Sequence, residues 1–143
     1  MKFITAAAAC AAAFVVLTGA NEAYAEPIAL NVRVDNVRPD QGDVRVAMFA
    51  EGAWLSEEPV AALRTTSDRG SVTLRLTAPA AGRYGLAAYQ DLNGDGELSR
   101  NMIGLPTEPY AFSNNAPLRF GPPAFEDAAL TINTSSEAVL TLR

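Results

Sequence analysis

The chain has 143 residues with 11 Lys or Arg, 16 Asp or Glu, no His and a single Cys, for a net charge of −5. Lys2 is the only lysine and Cys10 the only cysteine, so the sequence beyond residue 25 has no Lys, His or Cys and all its basic residues are Arg. That stretch cannot hold a Ser-His-Asp, Cys-His or Ser-Lys nucleophile system, a Schiff base, a disulfide, or the usual ligands of zinc, copper, haem and iron–sulfur clusters, and its acidity argues against a nucleic-acid partner.

Lys2 is followed by an apolar, alanine-rich run over residues 3–17, too short to span a bilayer, and then by small and polar residues. This predicts a secretory signal peptide over residues 1–25, cleaved after the small-x-small triplet Ala23-Tyr24-Ala25. Cys10 lies inside the apolar run and is expected to leave with it. The remaining residues 26–143 are enough for one domain with no membrane span, periplasmic or secreted in location.

Along that domain, Ile28, Leu30, Val32 and Val34 alternate with polar or small residues, the period of two of a half-buried strand. After the turn residues Pro39, Asp40 and Gly42 the alternation resumes at Val44, Val46 and Met48, so residues 28–50 predict a β-hairpin. Ser56, Glu57, Glu58 and Pro59 resemble the start of a short helix over residues 60–63. Trp54 beside Leu55 reads as the plug at an open end of the core, the alternative being an aromatic docking spot. Strands follow at residues 72–78 and 84–89, the second running directly into Asp91. Residues 103–123 hold seven Gly and Pro breakers, a long loop with room for one more short strand within 109–120. Alternation over 128–133 and 138–142 predicts a terminal hairpin. The expected fold is all-β: a small antiparallel β-sandwich, immunoglobulin-like or prealbumin (transthyretin)-like, with a barrel as the alternative.

One stretch has the spacing of a specific chemistry. Asp91, Asn93 and Asp95 place side-chain oxygens at alternate positions, Gly96 permits a sharp turn, and the Glu97 carbonyl follows, as in a calcium loop. A strand precedes it rather than a helix, so an EF-hand proper is not expected. The twelfth position, where an EF-hand supplies a bidentate Glu, is Met102. Ser99 is a candidate ligand at position nine, and Glu108 or Asn101 could fold back from the next loop, Glu108 being the leading candidate. The candidate metal set is therefore Asp91, Asn93, Asp95, Glu97, Ser99 and Glu108, for a weakly held Ca2+. The same composition also suits a plain hairpin turn.

The residues Gly82, Tyr84, Tyr89, Gln90, Asp91, Asn93, Asp95, Gly96, then Gly104, Pro106 and Glu108, then 112–115 (Phe-Ser-Asn-Asn) and 121–128, together resemble a bacterial family of small exported proteins, the domain of unknown function 2141 family. The resemblance covers nearly all of the mature chain. Its pattern falls on Asp91, Asn93, Asp95, Gly96, Gly104, Pro106, Glu108, Ser113 and Asn114. It departs at Gln90, where His often stands, and at Ser99, where an acidic residue often stands, which implies no imidazole chemistry and a weaker ion. It implies no activity, since the family is named for lacking one.

The expected function is a non-enzymatic, exported β-sandwich with a calcium-binding D-x-N-x-D-G loop. An alternative is an envelope module that binds a glycan or peptide through the 104–123 loop, using Tyr110, Phe112, Asn114, Asn115 and Trp54. A carboxylate-based hydrolase, on pairs such as Asp91 with Glu108 or Glu126 with Asp127, is a further option.

Overall fold

The computed structural model describes residues 25–143. The predicted signal segment, Cys10 included, lies outside the described residues, apart from Ala25 at its end. Among the described residues eight strands form two sheets. The smaller has the order β4-β1-β8, with β1 at Ile28–Asp35, β4 at Ser71–Ala78 and β8 at Ser136–Thr141. The larger has the order β3-β2-β5-β6, with β2 at Asp43–Ala50, β3 at Ala61–Thr66, β5 at Gly82–Asp91 and β6 at Tyr110–Phe112. A further strand, β7 at Ala129–Ile132, pairs with the first half of β5 on the edge that β6 occupies along the second half. A one-turn helix, α1, covers Phe125–Ala128.

The sheets face each other over one apolar core, to which alternate residues point as the period of two requires. Leu30, Val32, Val34, Leu74, Leu76 and Leu140 come from the small sheet, and Val44, Val46, Met48, Leu86, Ala88 and Ile132 from the large one. All pairings are antiparallel except β1 with β8, which run parallel. The sandwich expected from the sequence is thus present, with one parallel pair in it.

Three local expectations are corrected. Residues 28–50 are not a hairpin: β1 and β2 lie in different sheets, joined by an arch with positive φ at Asn36, Asp40 and Gly42. Buried Gln90 clamps that arch, accepting the Arg38 N–H (2.9 Å) and donating to the Arg38 and Gln41 carbonyls (both 2.6 Å). Gly42 has to be glycine twice over, since its φ is +63° and a Cβ there would overlap the Asp91 carbonyl. The terminal pair is likewise split, β7 joining the large sheet and β8 the small one. Residues 60–63 are not helical but enter β3, because β2 would otherwise expose an unpaired edge; register partners Val46 with Leu63 and Met48 with Ala61 override the weak local helix signal. The short strand foreseen within 109–120 is β6.

Trp54 acts as the plug. Its ring packs edge-on against Phe49, Phe112 and Phe125 at centroid distances of 5.7, 6.0 and 5.9 Å, and its Nε1–H donates to the Pro123 carbonyl at 2.8 Å. It sits over Gly85, where a Cβ would overlap the indole. Among the described residues no helix is long and apolar enough to cross a membrane.

Candidate functional site

Strand β5 ends at Asp91, and the chain turns at once through residues 91–99. The turn is built from short polar side chains that bond backbone N–H groups two to five residues ahead. Asp91 Oδ1 accepts from Gly94 (2.8 Å) and its Oδ2 from Gly96 (2.9 Å); Asn93 Oδ1 accepts from Asp95 (3.1 Å); Asp95 Oδ1 accepts from Glu97 (2.9 Å). Gly94 and Gly96 both have positive φ, +75° and +80°, as this winding demands. The Asn93 Nδ2 group points inward and donates to Asp95 Oδ2 and Ser99 Oγ, each at 3.0 Å.

Glu108 does fold back. Its side chain is buried, and its two oxygens accept the N–H groups of Leu92 (2.8 Å) and Ser99 (2.9 Å), tying together the two ends of the loop. The segment between them is pinned by a bridge between Arg100 and Pro106 and by the Thr107 N–H to the Ser99 carbonyl at 2.9 Å. Asn101, the other fold-back candidate, closes a local turn instead, accepting from Ile103 and Leu105. Glu97 is exposed, and its backbone N–H is what the loop uses.

Sequence reasoning did not identify Arg45. Its Nε donates to Asp91 Oδ2 at 3.0 Å, and its guanidinium packs beside Gly96. Asp91 is almost completely buried. Burial alone would raise its pKa, but the Gly96 and Gly94 N–H bonds and the Arg45 guanidinium outweigh that and hold the carboxyl below its ordinary value. The neighbouring Tyr89 shifts the other way: burial raises its pKa, against the lowering pull of Arg45 and with help from Asp91, Glu108 and Asp95. Its hydroxyl donates to the Gly96 carbonyl at 2.6 Å. The signal for Arg45 was present only as alternation, since it shares the outward face of β2 with Ala47.

A hard cation would find oxygen donors at Asp91, Asn93, Asp95, Ser99 and Glu108, and a carboxylate offers about four acceptor positions, of which backbone N–H bonds take only some. Among the described residues no three Asp or Glu side chains converge into a cage by themselves. An ion therefore has to draw on the Asn93 amide oxygen, Ser99 and a backbone carbonyl as well, and the Asn93 amide must turn its oxygen inward. The donor set fits a weak oxygen-ligated cation and is also self-satisfied without one, since no buried side-chain polar atom among the described residues lacks a partner.

The remaining candidates are tied into the framework. Asn114 donates to the Asp127 and Ala129 carbonyls, Asn115 accepts the Thr141 N–H, and Ser113 bonds Leu86 and Ala128. Both Asn residues have positive φ, which suits amide side chains in a tight turn. Of the carboxylate pairs, Asp91 and Glu108 have every oxygen bonded to an N–H group, and Glu126 is paired with Arg83 on the surface.

No curated protein and no solved structure matches the chain. A family model described as "Uncharacterized protein conserved in bacteria (DUF2141)" matches residues 32–139, from β1 to β8 and through the whole of the loop and its Glu108 brace. The chain belongs to that family.

Proposed function

We propose that the mature chain is an exported, non-enzymatic domain in which a weakly bound calcium ion orders the segment from Asp91 to Glu108. The observation that supports the reading is the return of Glu108 to the loop ends, which adds a second buried carboxylate to the motif that lacked its twelfth ligand. The ligands are Asp91, Asn93, Asp95 and Glu108 with the Glu97 carbonyl and Ser99. Arg45, already on Asp91, reduces the net negative charge of the site and with it the affinity.

Extracellular calcium modules bind with dissociation constants of about 10⁻⁴ to 10⁻³ M. At millimolar calcium and a constant near 10⁻⁴ M, linkage supplies about 1.4 kcal/mol. The ion thus organises a loop and does not hold the fold, for which the inter-sheet core suffices. Thermal melts in millimolar calcium, in magnesium and in chelator test the reading. A rise in midpoint with calcium alone supports it; three superimposable curves reject it.

A further inference from the structure

The outward face of the large sheet carries a cleft of about 540 Å³, within the size range of small-molecule sites. Its floor follows from strand register. Ala62, Ala47 and Ala87 are successive register partners across β3, β2 and β5, with Phe112 of β6 next in line, so one row across the sheet is almost without side-chain bulk. Two residues further along the strands the row reads Arg64, Arg45, Tyr89, Tyr110. Two residues in the other direction stand Phe49 and Gly85, the latter covered by Trp54. Leu98 and Arg100 from the loop, with Leu55 and Pro122, complete the lining.

The cleft thus has its arginines, with two tyrosines beside them, on one row and the apolar ring of Phe49 two rows away, in a chain whose net charge is negative. Its arginines differ in availability. Arg45 is held by Asp91 at 3.0 Å; among the described residues Arg64 meets only Asp43, at 3.7 Å on the surface, and Arg100 has no carboxylate partner and donates to the Gly104 carbonyl. Two guanidinium groups thus remain for a ligand's acidic head. The arginine row and the Phe49 row are four residues apart, a span of about 13 Å that an extended chain of about ten carbons fills.

We propose that this cleft binds a single-chain anionic amphiphile, with its carboxylate at Arg64 and Arg100, its chain crossing the alanine row in the strand direction, and its tail against Phe49.

Trp54 is the chain's only tryptophan and packs on Phe49, the residue at the tail end, with ring centroids 5.7 Å apart, so its fluorescence reports both binding and orientation. The probes are decanoates brominated either at the terminal carbon or beside the carboxylate, and decyltrimethylammonium as a cation of equal chain length. Saturable quenching by the terminally brominated acid, and weak quenching by its isomer, is expected. A double variant, Arg64→Gln with Arg100→Gln, should weaken binding about tenfold, through loss of charge-assisted contacts. Ala47→Leu should abolish binding while the thermal midpoint stays that of the wild type, because the new side chain fills the trough and not the core. Equal affinity for the cationic amphiphile, equal quenching by both bromo isomers, or unaltered binding in Ala47→Leu overturns the proposal. So does a concentration-dependent dimer that Ala47→Leu disrupts, which would assign the cleft to a second copy of the chain. Binding to phosphatidylglycerol vesicles without any binding of free decanoate would overturn it in favour of a membrane surface.

Discussion

Replacing Glu108 by Ala removes the link between the two ends of the 91–99 loop. The carboxylate is 6% exposed and accepts two N–H bonds at 2.8 and 2.9 Å. A hydrogen bond to a charged group contributes about 1.5–3 kcal/mol, and a buried donor left alone costs about 1–3 kcal/mol. Leu92 and Ser99 are only half-buried, so water recovers part of the loss, and about 2–4 kcal/mol is expected in total. At about 2.1 cal/mol/K of unfolding entropy per residue, that lowers the thermal midpoint of a domain this size by roughly 8–16 °C. Glu97→Ala, an exposed carboxylate in the same loop, should stay within about 0.5 kcal/mol of wild type. Urea unfolding in chelator, followed by Trp54 emission, measures both without any contribution from an ion. A Glu108→Ala variant as stable as Glu97→Ala would refute the brace.

Other perturbations test other parts of the structure. Gln90→Leu strands the Arg38 N–H and two carbonyls under the arch and should cost about 2–4 kcal/mol in a urea titration. Gly85→Ala drives a methyl group into the Trp54 ring, and a loss of about 1–3 kcal/mol with a shift in tryptophan emission is expected. The Asp91 carboxyl titrates below its ordinary value in the folded chain, so its contribution is complete above about pH 4 and is lost as pH falls through the lower folded value. Melts of Asp91→Asn should therefore depend less on pH than wild type across the acid range, and equal pH dependence would contradict the assignment.

Strand positions were legible because alternation is a local property: Leu30, Val32, Val34 and Val44, Val46, Met48 each announce a strand with one buried face. Partners were not legible, because the same alternation serves a hairpin or an arch between sheets. What decides for the arch at residues 36–42 is distant: buried Gln90 and Ser67, which the local pattern could not connect to Arg38 and Gln41. The helix expected at residues 60–63 failed for the related reason that β2 needs an edge partner. In the candidate site, the turn from Asp91 to Ser99 was readable from short-range Asp, Asn and Gly chemistry. The fold-back of Glu108 was inferred from a missing ligand, and the geometry gives it a clear role as an N–H acceptor. Arg45, 46 residues earlier in the chain, could reach Asp91 only through the pairing of β2 with β5. The cleft was invisible for the same reason: its alanine row is assembled across strands, and only the register places those residues side by side.

Calorimetric titration of calcium into metal-stripped protein decides whether the loop from Asp91 to Ser99 holds an ion. One site is predicted, with a dissociation constant of about 10⁻⁴ to 10⁻³ M, lost in Asp95→Ala and retained in Glu57→Ala. Heat no different from buffer dilution up to several times that concentration would contradict the account and leave the 91–99 loop as a turn held by Arg45 and Glu108 alone.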